Sequence, residues 1–264
     1  MRLRRCSLVA LLSTLLLATA GGATSSALPS DPSSSASLSS SSASTAASWF
    51  GPSTISAAPA WTACTLKLDG IRTPITASQH TVTVVKQTSK THARLSFYRR
   101  VEGACAVKRE FRTRTARLGY GGTVQGTERK QGTGTTPRGT YSMTEAFGNG
   151  SAPTTAMPFH EVSKGDYWVQ DNDSDYYNLL RNKADGGFRT RSSENLRGFG
   201  KQYRYVVVIN FNRAPDFQQR HRGSGIFLHV KTAGATAGCI AATKHQLQVV
   251  VRYLQPGDTI TIGR

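Results

Sequence analysis

The sequence predicts a mainly β domain with one clear helix near its C-terminal end. Short segments alternate apolar and polar residues with period two, the pattern of strands with one buried face. One continuous run, Val206-Val207-Val208-Ile209, has the character of a strand buried on both faces. A single stripe, Leu247, Val250, Val251 and Leu254, repeats at i, i+3, i+4 and i+7, which is one side of a helix.

Taken in chain order, the strands begin with Thr81 to Val85 and Ala93 to Tyr98, both alternating. Lys108 to Leu118 alternates weakly, with Phe111 and Leu118 apolar among many arginines. Gly119 to Gly122 reads as a turn, and Gly139-Thr140-Tyr141-Ser142-Met143 opens another strand. Residues 144–202 are loop-rich, with a short helix expected near Tyr176 to Asn182. Tyr203 to Phe211 is the strongest β run, and Gly225 to Val230 follows as its partner. Within that partner, Ile226, Leu228 and Val230 share one face, and Phe227 and His229 share the other. Thr243-Lys244-His245-Gln246 fits a capping box at the start of the helix, and Pro256-Gly257 stops it. Asp258 to Ile262 is the last strand.

The organisation before this domain is compositional. Arg2, Arg4 and Arg5 precede a nearly continuous apolar stretch from Cys6 to Leu17, and Ala18-Thr19-Ala20 has the small-x-small form of a cleavage site. Residues 1–20 are read as a signal peptide, short for a membrane span but able to serve as an anchor if uncleaved. Residues 21–59 are Ser, Ala, Thr and Pro with one charge, Asp31, a composition that cannot offset its own ordering entropy and is read as a linker. Trp49 and Phe50 interrupt it and are candidates for docking on the domain. Residues 60–264 then form one domain with a real core.

The chain carries a formal net charge of +18, and its basic residues beyond the signal lie in the domain. In an exported protein this balance suits anionic wall polymers or acidic peptides better than nucleic acid, and solubility alone is the plainer reading. Cys6 leaves with the signal, so three cysteines remain. Cys64 and Cys105 both flank the N-terminal strands and are paired here as a disulfide, which leaves Cys239 free. A free thiol outside the cell is hard to explain as packing, because that compartment favours oxidation.

An apolar run delivers His229, and a loop containing Gly234, Ala235, Ala237 and Gly238 delivers Cys239. A cysteine nucleophile needs a nearby base and small neighbours that let a carbonyl approach, so these two residues are the catalytic candidates. The expected partnership is a thiolate–imidazole ion pair. Thr236 is a candidate to orient the loop, and the backbone N–H groups of Gly238 and Cys239 are candidates for an oxyanion site. A zinc site built from His229, Cys239 and another histidine lacks any CxxC or HxxxH spacing, so no metal is expected. Gly134 to Gly139 resembles a phosphate loop only in glycine content. Trp168, Tyr176 and Tyr177 are either groove-lining or core. Arg189, Arg191, Arg197 and Lys201 occupy a loop that either covers the site or is simply solvated. His221 and His245 are expected to be exposed.

Three segments resemble the L,D-transpeptidases of bacterial cell walls, with a YkuD-type catalytic domain. They are Gly132-Thr133-Gly134-Thr135-Thr136-Pro137-Arg138-Gly139-Thr140-Tyr141, Gly223-Ser224-Gly225-Ile226-Phe227-Leu228-His229 and Thr236-Ala237-Gly238-Cys239-Ile240. A looser likeness covers Phe159-His160-Glu161-Val162, Asp166-Tyr167-Trp168-Val169 and Ser174 to Asn178, and the whole spans roughly Ala77 to Gly263. The resemblance is closest to the secreted actinobacterial members. It implies a YkuD-like β-sandwich or barrel, a location in the cell wall, no cofactor, and peptidoglycan stem peptides as donor and acceptor. Cys239 would form a thioester and His229 would be the general base, with His160, Trp168, Tyr177 and Ser224 as substrate-binding candidates. The commonest family signature reads Ser-His-Gly-Cys-x-Arg. Here Ala237 and Ala241 stand where its second histidine and its arginine would be. Hydrolysis at the same site, as an L,D-carboxypeptidase, and a non-catalytic wall-binding module are the competing functions.

Overall fold

The computed structural model describes residues 61–264. The signal segment 1–20, the linker 21–59 and the docking of Trp49 and Phe50 lie outside them. The described chain opens with a hairpin of β1 (Cys64–Leu68) and β2 (Ile71–Ile75). Its turn is Asp69-Gly70, both at positive φ (52° and 86°), a geometry that favours this residue pair. The sequence pattern placed no strand before Thr81, so this hairpin is an addition.

Next come β3 (Thr81–Gln87), β4 (His92–Arg100) and β5 (Val107–Arg117), paired antiparallel in succession. Then follow β6 (Thr123–Gln125), β7 (Thr136–Ser142), β8 (Ala146–Gly148) and β9 (Phe159–Glu161). A small sheet contains β10 (Asp166–Trp168), β11 (Leu180–Asn182) and β12 (Glu194–Asn195). The chain finishes with β13 (Val206–Val208), β14 (Phe227–Val230), β15 (Ile240–Ala242), α1 (Lys244–Tyr253) and β16 (Thr259–Gly263). Eleven of these strands make one mixed sheet in the order β6-β7-β16-β3-β4-β5-β15-β14-β13-β8-β9. The two small sheets pack over parts of it, which gives the layered, mainly β architecture expected.

The strand patterns translate directly into layers. Val206, Val207 and Val208 are all buried, because β13 lies between two cores. Val207 joins the main core with Ile226, Leu228, Ile240 and the α1 stripe Leu247, Val250, Val251 and Leu254. Val206 and Val208 face the second core with Phe147, Trp168, Tyr203, Phe227 and Cys239. The predicted split of β14 therefore holds, with Ile226 and Leu228 on one face and Phe227 on the other. The capping box also forms: Gln246 N donates to Thr243 Oγ1 at 3.3 Å, and Thr243 N donates to Gln246 Oε1 at 3.0 Å.

Two expectations are corrected. Thr81 to Val85 does not alternate, since all five residues are buried between the main core and the layer under the β1–β2 hairpin. Thr81 Oγ1 is accommodated there by donating to Asp258 Oδ2 at 2.7 Å. The helix expected near Tyr176 to Asn182 is instead a run of turns followed by β11. Asn178 takes positive φ (65°), and its amide is spent on the carbonyls of Phe211 and Asn212, at 3.1 and 2.9 Å. The Cys64–Cys105 disulfide is present and ties β1 to the β4–β5 turn, while Cys239 is free.

Candidate active site

His229 and Cys239 reach one cleft because β14 and β15 run parallel side by side. The register sets Leu228 against Ile240 and His229 against Ala241, so Cys239 arrives at the start of β15 on the Phe227 side. Both residues open onto one cleft of about 320 Å³, also lined by Tyr120, Arg129, Glu194, Tyr203, Ser224 and Thr236.

His229 is 2% exposed. Its Nδ1 lies 2.9 Å from the carbonyl of Val230. A carbonyl only accepts, so Nδ1 carries the proton and Nε2 keeps its lone pair. Burial pushes the imidazole down to about 4, and it is neutral at neutral pH. Tyr203 lies edge-on to the ring, with centroids 5.5 Å apart.

Cys239 Sγ receives the Phe227 N–H at 3.4 Å and donates to the Gly225 carbonyl at 3.3 Å. Burial pushes the thiol up to about 12, and the Glu194 carboxylate adds to the rise. Burial disfavours both charged forms, and so favours a neutral thiol beside a neutral imidazole over the expected ion pair.

The loop before Cys239 is fixed by Thr236. Its hydroxyl donates to the Cys239 carbonyl at 2.6 Å and accepts the Gly238 N–H at 3.2 Å. Thr236 is itself pinned between Leu118 and Tyr120, through Thr236 N to Leu118 O (2.9 Å) and Tyr120 N to Thr236 O (2.8 Å). The Gly238 N–H is thus occupied, contrary to its expected oxyanion role. Gly238 has φ of 137°, and a Cβ there would sit 2.9 Å from Arg129 Nη2 and 3.0 Å from Thr135 O. Ala237 is exposed at the tip of this turn and lines the cleft.

Of the substrate-binding candidates, Ser224 lines the cleft with its Oγ buried and without a partner. His160, Trp168 and Tyr177 do not line it. His160 is exposed on β9 and pairs with Asp166 at 2.8 Å. Trp168 and Tyr177 are fully buried. Trp168 Nε1 donates to Asn178 Oδ1 at 2.8 Å, and Tyr177 OH donates to Gln131 Oε1 at 2.9 Å, so both brace the cleft wall from behind. Tyr176 packs under Arg181 at 3.5 Å. For the basic side chains the solvated alternative is the one seen. Arg189 pairs with Asp171 and Asp173, and Arg191, Arg197 and Lys201 point to solvent. Glu194, Phe199 and Tyr203 reach the cleft from that segment instead, with Tyr203 OH donating to Glu194. His221 and His245 are exposed. No group of three or more metal-ligating side chains occurs among the described residues.

The sequence model of the YkuD family, described as the L,D-transpeptidase catalytic domain, matches residues 81–262. Among solved structures the chain is similar to an L,D-transpeptidase (Yku) from Stackebrandtia nassauensis, at 16% identity and a TM-score of 0.31. That match covers 70% of this chain and 56% of the other. It is also similar to L,D-transpeptidase 1 of Mycobacterium tuberculosis, at 15% identity and a TM-score of 0.32, over 70% of this chain and 62% of that one. The chain thus spans less than two thirds of either structure's length. No curated protein matches.

Proposed function

Since this chain belongs to the YkuD family of L,D-transpeptidase catalytic domains, we propose that it cross-links peptidoglycan stem peptides through a thioester on Cys239, with His229 as general base. The observation that carries this reading is a buried free thiol and an imidazole with its Nδ1 spent on a carbonyl, both lining one cleft.

The neutral resting pair sets the order of events. The Sγ–H bond to Gly225 O is exchanged for one to His229 Nε2, and the proton moves to Nε2 as sulfur attacks the donor carbonyl. The C–S bond forms, the C–N bond to the terminal D-amino acid breaks, and the imidazolium returns its proton to the departing amine. An acceptor amine then attacks the thioester carbonyl and gives its proton to Nε2. The C–N bond forms, the C–S bond breaks, and Sγ recovers the proton. Because Thr236 holds the Gly238 N–H, the Cys239 N–H is the donor offered to the oxyanion. Water in place of the amine would give hydrolysis.

The Cys64–Cys105 bond supports an oxidising, extracytoplasmic setting. The net charge of +18 supports contact with anionic wall polymers as well. Mass spectrometry of products from a disaccharide-tetrapeptide tests the assignment. A cross-linked dimer that retains a third-residue carbonyl in its new amide is expected. Shortened monomer alone would replace transpeptidation by carboxypeptidase activity, and an unchanged substrate with no covalent adduct would leave a binding module.

A further inference from the structure

Arg129 is 5% exposed, yet it lines the cleft beside the nucleophile loop. Its Nε donates to the Thr135 carbonyl at 2.7 Å and its Nη1 to the Arg222 carbonyl at 3.1 Å. Both acceptors are neutral. Neighbouring arginines are treated differently: Arg189 pairs with Asp171, Arg213 with Glu145 and Arg222 with Asp216. Among the described residues, the most deeply buried of these four guanidinium groups is the one with no carboxylate partner. Arg100 is likewise buried on carbonyls alone, so what sets Arg129 apart is its place in the cleft, where an anion brought by a ligand would offset its charge.

The backbone is shaped around this group. A Cβ on Gly223 would fall 1.5 Å from Arg129 Nη1, and one on Gly238 would fall 2.9 Å from Nη2. Two glycines at positive φ, 115° and 137°, therefore clear a path for the guanidinium up to the residue that precedes Cys239. Ser224, next to Gly223, adds a hydroxyl to the same cleft wall, buried beside the Tyr177 hydroxyl.

We propose that Arg129, with the Ser224 hydroxyl, binds the free C-terminal carboxylate of the donor peptide; this rests on the acyl-transfer reading above. The departing residue places its carboxylate one residue beyond the scissile carbonyl, a span of about 3.8 Å. Nη2 lies against Gly238, the residue before Cys239, and so on the nucleophile's side of the cleft. A planar guanidinium with an uncommitted edge suits a carboxylate. Arg129 thereby selects donors that end in a free acid.

The test gives the full chain, Arg129→Gln and Arg129→Lys a disaccharide-tetrapeptide with a free C-terminal carboxylate, and the same compound amidated there. Acyl-enzyme is followed by intact-protein mass spectrometry, with melting curves as the check on folding. The native chain should acylate about tenfold or more faster with the acid, as expected for one charge-assisted hydrogen bond to a carboxylate. Arg129→Gln should bring the acid-to-amide ratio to about one, with the acid rate falling further than the amide rate, and Arg129→Lys should keep part of the preference. No preference in the native chain, or an equal loss on both donors, overturns the proposal. The latter outcome would mean support of the loop or of the oxyanion. If Arg129→Gln fails to fold, an unchanged acid-to-amide ratio in folded Arg129→Lys overturns it, and a reduced ratio upholds it. If neither donor acylates the native chain, the acyl-transfer reading has failed, and calorimetry on Cys239→Ser decides Arg129 separately. Tighter binding of the acid, lost on adding Arg129→Gln, upholds the carboxylate site. Equal or absent binding of both compounds overturns it.

Discussion

Replacing His229 by Gln removes the base while keeping a polar side chain of similar reach. In the native site the imidazole is neutral above about pH 4, so acylation should be flat from about pH 5 to 9. The thiol, pushed up to about 12 by burial, leaves a thiolate fraction of about 10⁻⁵ at pH 7. Without the base, attack depends on that fraction, which rises about tenfold per pH unit. The variant should therefore be slower by at least about a hundredfold at pH 7, and should gain on the native chain as pH rises. The assay is quenched acylation by a disaccharide-tetrapeptide from pH 5 to 10, read by intact-protein mass spectrometry. A variant with the native rate and a flat profile would make His229 structural. A native profile with a step between the ordinary histidine and cysteine values would restore the ion pair and refute the neutral resting state.

Three further outcomes are expected. Changing Cys64 and Cys105 together to Ser opens a crosslink of sequence separation 41, which should lower denaturant stability by about 4 kcal/mol, and an unchanged midpoint would contradict that. Thr236→Val leaves the Gly238 N–H and the Cys239 carbonyl short of a partner and should cost about 1–3 kcal/mol by thermal melting, with slower acylation. Stability should also follow the two buried groups. The unfolded chain binds a proton at histidine near 6.5 but native His229 only near 4, so stability falls as pH drops through that window. Native Cys239 keeps its proton to about 12 whereas an unfolded thiol loses it near 9, so stability falls again above about pH 9. The full acid limb amounts to about 3 kcal/mol and the full alkaline limb to about 4 kcal/mol. Urea titrations should show the acid limb shallower in His229→Gln and the alkaline limb shallower in Cys239→Ala.

The parts of this fold written in local pattern were legible. The Val206–Ile209 run, the α1 stripe with its capping box and the two-faced β14 each translate a periodicity into burial. The facing of His229 away from the aliphatic core, into the cleft that Cys239 also lines, followed from the alternation of β14. What local pattern does not carry is charge state. The burial that disfavours charge on Cys239 comes from the Phe147, Trp168, Tyr203 and Phe227 cluster, assembled from four distant segments. Arg129 escaped notice for the same reason, since its burial depends on Gly223, far along the chain. His160 shows the converse, for its likeness to a family position was real in sequence but its ring is spent on Asp166 at the surface. The Asp69-Gly70 hairpin was missed, although its turn pair and the flanking Leu66, Leu68 and Ile71 carry a local signal for it.

Site-mapping of the acyl-enzyme tests the central claim most directly. The native chain is trapped with a disaccharide-tetrapeptide, digested without reducing agent and sequenced by tandem mass spectrometry, with Cys239→Ala in parallel. A single thioester adduct on Cys239, lacking the terminal D-amino acid and missing from the variant, is the expected result. An adduct on any other residue, or one that persists in Cys239→Ala, would contradict the assignment of Cys239 as nucleophile.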